Sequence, residues 1–312
     1  MGALEEVVRF LKRHKPARSR LVSRYLPEPS DPEGMANYLI FMVSIDHRAG
    51  AHFTDFVGGE ELSGAELLWK LGELKWREDG GFFSPRRMAK VGREEVRGWL
   101  TTPGGVTIKG PRLRWLLLRD AARWLIRLYG GRGLRVVEAA QDSGSRLVEL
   151  LRPLRAFSDP VAKKAYLLAK LLIKSGLMKG VDLGELPLPV DNHVTRVTLR
   201  LGLVRPLRSG EFLSRLELDV RLRLFVREVW RSVVKEARID PIATDDLLWT
   251  VGRELCKRSE ALCSTAHGVR SERLAEVAPW AWRACPLEEV CQGPRRAQWR
   301  RLREPSVETF WY

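Results

Sequence analysis

No stretch of the chain approaches the roughly 18 consecutive apolar residues that would cross a bilayer. The longest candidates are Tyr38 to Ile45 and Tyr166 to Ile173. This predicts a soluble protein with no membrane partner. The opening MGALEEVVRFLKRHK reads as an amphipathic helix of mixed charge, without an apolar core or a small-residue cleavage site. The expected location is therefore cytoplasmic, intracellular and nucleoid-associated. Cysteine is scarce: the chain has four, Cys256, Cys263, Cys285 and Cys291, all in its last fifth. That crowding is unlike a disulfide framework spread through a secreted domain and reads as one site. Lysine is scarce beside arginine, 13 against 41. Strict apolar alternation is rare, and internal repeats and low-complexity tracts are absent, which excludes solenoid and fibrous architectures.

What is present is enough apolar residue, 45% of 312, to furnish a real core. The balance of 54 basic against 39 acidic residues gives +15 and a pI near 10.1. Such a surplus points to a polyanionic partner such as nucleic acid, although base composition or heat adaptation produces the same arginine skew without a ligand. Apolar residues recur at three and four spacing in LEEVVRFLKRH, MANYLIFMVSI, GAELLWKLGELKW, LRWLLLRDAARWLIRLYG, SRLVELLRPL and AKKAYLLAKLLIKSG. Gly and Pro clusters at 27–32, 80–85, 103–111, 130–133 and 186–189 mark loops between them. The pattern predicts an all-α protein. The basic extension Pro294 to Glu304 is either a solvated tail or an arm that contacts a nucleic-acid backbone.

The cysteine spacers are six, twenty-one and five residues. Structural zinc sites close around the ion with spacers of two to four, whereas a four-iron cluster is wider and tolerates longer loops. The residues favour iron and sulfur, with zinc, a redox disulfide or ordinary thiols as alternatives. DDLLWTVGRELCKRSEALC followed by ACPLEEVC resembles the iron–sulfur loop of endonuclease III-type DNA glycosylases, whose outer spacers are also six and five. The resemblance implies a 4Fe–4S cluster on the four cysteines. The departure is the middle spacer, two residues in that family, so Ser264 to Ala284 is an insert expected to loop out.

Upstream, SDPVAKKAYLLAKLL predicts a helix opened by Ser158 or Asp159 as cap, with Pro160 in its first turn and Lys163 and Lys164 within its first two turns. LPLPVDNHVTRVTLRLGL puts Asp191 where a Pro-rich loop meets a new helix, a natural capping position. The order of AKKA at 162 to 165 and VDNHVTRV at 190 to 197 is similar to the Lys and Asp halves of the helix-hairpin-helix glycosylase motif. DPxxK, PVDxxV and DxLLWxxGR-like segments bring the chain nearest to the archaeal 8-oxoguanine glycosylases. The resemblance implies Lys163 as nucleophile, with Lys164 if the register slips by one, and Asp191 as the catalytic carboxylate. RPLRAFSDP departs from the endonuclease III pattern by lacking a glycine in the hairpin turn.

Trp249 and Asp245 are four apart and share a helical face, either as a stacking plane beside a hydrogen-bond acceptor or as a core Trp with a capping Asp. The resemblance assigns them to the extruded base, with Asp246 as the register alternative. ANYLIFMVSIDHRAG is similar to the early glycosylase helix that projects a residue into the duplex, which nominates Asp46, His47 and Arg48. Trp69, Trp76, Phe82 and Phe83 are further aromatic candidates or core. His193, beside Asp191, is expected to make a structural hydrogen bond. The resemblance implies two helical lobes with a cleft, a barrel lobe at 30–154 and a hairpin and cluster lobe at 1–29 plus 155–312. The expectation is a monomeric DNA glycosylase with AP-lyase activity that excises a damaged base such as 8-oxoguanine from duplex DNA. The alternatives are an N-glycosidase on a modified nucleoside or nucleotide, and a non-catalytic iron–sulfur nucleic-acid-binding protein.

Overall fold

The computed structural model describes residues 2–20, 22–26, 31–205, 215–259, 261–264, 271–281 and 285–312. These divide into two compact units. The first comprises Met1–Ser19 and Leu183–Glu308, the second Arg20–Asp182 and Thr309–Tyr312. The sequence reading ended the barrel lobe at 154. The unit boundary instead falls at Asp182, so the helix carrying Lys163 belongs to the second unit, while Asp191 lies in the first. Among the described residues no helix is long and apolar enough to cross a membrane.

In chain order, α1 (Ala3–Arg13) opens the first unit, and the second begins with α2 (Pro32–Ile45). Asp31 caps α2 through the Gly34 N–H, and Pro32 sits where no backbone donor is needed. Every residue of α2 from Met35 to Ile45 is buried, so α2 is the central helix of its unit. A two-stranded antiparallel ribbon, β1 (Thr54–Val57) and β2 (Glu60–Ser63), turns at Gly58 and Gly59, both at positive φ. The helical reading did not anticipate this ribbon; the paired glycines are its sequence signal. There follow α3 (Gly64–Glu78), α4 (Pro85–Met88), α5 (Arg93–Trp99), α6 (Pro111–Tyr129), α7 (Leu134–Ala140), α8 (Gly144–Leu151) and α9 (Lys163–Lys174). Tyr38 packs edge-on against Trp69, Trp76 and Phe83, and Phe82 and Trp99 extend the cluster. The aromatic candidates of the α3 region are therefore core.

The first unit continues with α10 (Asn192–Leu201), α11 (Leu216–Ala237), α12 (Pro241–Glu254), α13 (Glu272–Val277), α14 (Gln292–Arg295) and α15 (Ala297–Arg300). Its centre is α10, whose buried arginines satisfy distant carbonyls. Arg196 donates to Gly252 O at 2.8 Å and Cys256 O at 2.5 Å and pairs with buried Glu304 at 2.8 Å. Arg223 on α11, fully buried, pairs with Asp219 and donates to Asn192 Oδ1 at 2.8 Å. The segment 294–304 is thus no free tail in this region: α14 and α15 pack on α10, and Glu304 anchors beneath it. The insert also differs from expectation. Ser271 caps α13, which buries Leu274 and Val277 against α12, so part of 264–284 is folded structure. Residues 265–270 and 282–284 of it lie outside the described set.

The contact of α10 with α12 depends on Gly252. A Cβ there would lie 2.6 Å from His193 Cβ and 3.0 Å from His193 Cα. Gly252→Ala is expected to destabilise the protein by about 1–3 kcal/mol through overpacking of α10 on α12. Chemical denaturation checks this, and an unchanged midpoint would contradict the close approach.

Candidate functional site

The two halves of the expected motif fall in different units, and each has its own surroundings. In the second unit, α9 begins directly at Lys163. The turn before it places Ala162 at φ 54°, left-handed for a residue with a Cβ, while Asp159 Oδ1 accepts the Lys163 N–H at 3.1 Å. Pro160 therefore precedes the helix rather than entering its first turn, and Asp159 works as a cap from four residues upstream. Ser158 instead donates through Oγ to Arg155 O. The hairpin turn spends most of its amides internally: those of Phe157, Ser158 and Ala162 go to Leu154, Arg155 and Asp159 carbonyls.

Both lysines reach the C-terminal end of α2. Lys163 Nζ donates to Asp46 O at 3.3 Å, and Lys164 Nζ donates to Ser44 O at 2.6 Å and lies 3.3 Å from His47 Nδ1. Lys164 is fully buried, with its amine over the Phe310 ring at 5.8 Å, whereas Lys163 keeps 7% of its surface. Arg114 on α6 completes the set by donating to His47 O at 2.8 Å and Arg48 O at 3.1 Å, and also to Lys109 O. Asp46 accepts from Trp69 Nε1 at 3.4 Å. Asp46, His47, Lys163 and Lys164 are thus brought together, with Arg48 joined through its carbonyl.

Crowded cations in a dry place disfavour one another's charge. Burial, then the Lys163 charge, holds the Lys164 amine well below the ordinary lysine range. Burial brings the Arg114 guanidinium down to about 10. Burial, followed by Lys164, Arg114 and Lys163, keeps the His47 imidazole well below 6.5. Asp159 moves the other way: burial raises its carboxyl. Sequence reasoning passed over Arg114 and saw Asp159 only as a possible cap. The signal for Arg114 was its place in the first turn after Gly110–Pro111.

In the first unit, Asp191 caps α10 by accepting the Val194 N–H on Oδ1 at 2.9 Å, and it is only part-buried. Capping occupies one carboxylate oxygen, Oδ1. Asp240, not Asp245, caps α12. Asp245 is 4% exposed, and Asp246 accepts the Ser19 N–H at 2.8 Å. Trp249 is the one residue between Pro241 and Gly252 that is not buried. It meets His193 edge-on at 5.7 Å and carries the Arg253 guanidinium 5.8 Å from its ring. His193 lies 3.0 Å from Arg196 Nη2, the structural bond expected of it.

All four cysteines line one cavity with Val197, Arg200, Val251, Leu255 and Leu287. Arg200 donates to Cys256 Sγ at 3.3 Å, and the Gly293 N–H approaches Cys291 Sγ at 3.4 Å. Burial raises the Cys285 thiol well above its usual value and pushes Cys291 up to about 12. Among the described residues no group of three or more His, Cys, Asp or Glu is positioned around a single metal ion.

The His47 shift carries a consequence for stability. Its folded pKa lies below the unfolded value of 6.5, so the unfolded chain binds the extra proton first. The stabilisation from neutral His47 is complete above 6.5 and is lost as pH falls toward the folded pKa. The urea midpoint is expected to drop between about pH 7.5 and 5, and His47→Gln should make that drop shallower. An equal slope in the variant would show that His47 does not titrate late.

Comparison with known proteins adds to this geometry. Residues 162–278 match the AGOG family model, described as N-glycosylase/DNA lyase. A curated N-glycosylase/DNA lyase from Pyrobaculum aerophilum is 33% identical over 91 residues, which cover 29% of this chain and 30% of that protein. A solved structure of the 8-oxoguanine DNA glycosylase from the same organism, complexed with 8-oxoguanosine, aligns at 19% identity over 91% of this chain and 98% of that one, with a TM-score of 0.44. The matched segment contains Lys163, Asp191, Asp245 and Trp249, and over it the chain is similar to the AGOG family of N-glycosylase/DNA lyases.

Proposed function

We propose that this protein is a DNA N-glycosylase with AP-lyase activity that removes an oxidised purine, 8-oxoguanine by motif resemblance, from duplex DNA. The observation that carries the reading is the Lys163 amine. It is held at the start of α9 against Asp46 O, within a segment that matches N-glycosylase/DNA lyases.

Cleavage of the N-glycosidic bond leaves the base with the bonding electron pair and builds positive charge on the sugar. The Asp191 carboxylate opposes that charge through the oxygen not used for capping. The Lys163 amine then forms a bond to C1′ through its nitrogen lone pair. Transfer of one amine proton to O4′ as the C1′–O4′ bond breaks opens the ring and leaves an iminium, which acidifies the C2′ proton, and removal of that proton expels the 3′ phosphate. Trp249 offers an aromatic face to the extruded base, and Asp245, one turn earlier, offers a polar edge.

Lys164 is an unsuitable nucleophile because its amine is spent on Ser44 O inside the core. Borohydride trapping on a duplex carrying the lesion distinguishes the two lysines. Lys163→Ala should give no trapped complex, while Lys164→Met, if folded, retains it. The reverse pattern would move the nucleophile by one residue. Asp191→Asn should lower base release by about 10²–10³-fold. Its stability should stay within about 0.5 kcal/mol, because Asn caps a helix as well as Asp. Activity retained in that variant would reduce Asp191 to a cap.

The cysteines fit a 4Fe–4S cluster. Four sulfurs face one cavity with N–H donors on two of them, and a cubane spreads its thiolates more widely than a single zinc ion does. When bound, the cluster would supply a covalent cross-link between the end of α12 and the segments bearing Cys263, Cys285 and Cys291. Anaerobic purification should give a brown protein with iron and sulfide in equal amounts, and Cys285→Ser should lose both. Stoichiometric zinc, or no metal under those conditions, would replace this reading.

A further inference from the structure

One helix of the second unit, α6, concentrates exposed arginine along one face. Several exposed arginines elsewhere meet a carboxylate about one turn away: Arg77 with Glu73, Arg97 with Glu94, Arg152 with Glu149 and Arg221 with Glu217. Such pairs neutralise a surface and leave little to attract a ligand. The 19 residues of α6 contain five arginines and one carboxylate, Asp120, which is committed to the Arg155 N–H at 2.8 Å. None of Arg112, Arg119, Arg123 and Arg127 pairs with a carboxylate among the described residues.

Their spacing of seven, four and four places all four within about 80° of one another on the helix and along about 22 Å of its length. Arg112, Arg123 and Arg127 are exposed. Arg119 lies 5.1 Å from the Trp115 ring and Arg127 5.7 Å from the Trp124 ring, so two of the guanidiniums are already ordered by aromatic faces. The helix is also fixed to both parts of the lysine site within its own unit. Arg114 binds the carbonyls that end α2, and Asp120 binds the turn that leads to Lys163. The four arginines lie on the opposite, outward side of α6 from Arg114, which turns inward to those carbonyls.

We propose that this outward face of α6 is a track for the sugar-phosphate backbone of duplex DNA. The assignment of DNA as the ligand rests on the glycosylase reading. Phosphates recur about every 3.4 Å along each strand, so a 22 Å row of guanidiniums meets several of them. Planar, always-charged arginines suit that contact better than lysines.

The test uses a fluorescent, undamaged duplex of about 20 base pairs and the full chain, with affinity followed against salt concentration. The triple variant R112Q/R123Q/R127Q should reduce the slope of log K against log[salt] by about 2–3, or roughly 0.9 for each phosphate no longer neutralised, and weaken binding at low salt at least about tenfold. A control triple of paired arginines, R97Q/R152Q/R221Q, should change the slope by less than about one. Equal losses in both variants, an unchanged slope in the α6 variant, or a wild-type protein that does not bind the duplex would overturn the proposal. So would an α6 variant that loses binding to polyglutamate while keeping its DNA slope, which would make the face a protein-docking surface. Borohydride trapping at saturating DNA and low salt keeps the two readings apart: the α6 variant should still trap, and its failure or success there bears on the glycosylase assignment alone.

Discussion

The second unit turns on how the C-terminal end of α2 is closed. A helix ends in carbonyls that lack intrahelical partners and carry partial negative charge. Here the helix is buried along its length, so water cannot satisfy them. Lys164, Lys163 and Arg114 do so, taking Ser44, Asp46, His47 and Arg48 oxygens between them. Each charged hydrogen bond contributes about 1.5–3 kcal/mol, offset by the cost of drying the cation. The arrangement ties α6 and α9 to one point of α2. It also crowds cations in a dry place, which holds the buried Lys164 amine well below the ordinary lysine range.

The first unit uses the same device with different residues. Arg196 and Arg200 are one turn apart on α10 and point into the unit, where they bind carbonyls at the end of α12 and beyond it. Arg196 is neutralised by Glu304, and Arg223 by Asp219. Part of the arginine excess is therefore architectural rather than a signature of a polyanion. The exposed remainder differs from helix to helix, and only where carboxylates are missing does the charge carry information about a partner.

Helix positions were legible because α2, α3, α6, α8 and α9 each show apolar spacing between Gly or Pro signals, and the motif order located Lys163 and Asp191. The cysteine spacing led to the four thiols that share a cavity. What could not be read were pairings between residues distant in the chain. Arg114 meets His47 across 67 residues, Arg196 meets Glu304 across 108, and Phe310 returns to Lys164 from the far end. The insert looked like a loop because its helix α13 has only six residues, too few for a period to register. The packing of α8 on α9, across the hairpin before Lys163, is likewise a contact that apolar spacing does not announce.

Ala162 shows how these layers meet. A left-handed conformation costs a residue with a Cβ about 1–2 kcal/mol, and glycine would remove that cost. The chain nevertheless carries alanine immediately before the lysine. The conformation is held because Asp159 accepts the Lys163 N–H on one side and the Ala162 N–H on the other, through Oδ1 and its carbonyl respectively. Pro160 further restricts the turn. With glycine the same turn would have more alternatives and the first residue of α9 a looser position. Strain that persists at this one step is what a fixed direction for the Lys163 side chain requires, and the buried amine of Lys164, one residue on, locks the helix that bears it.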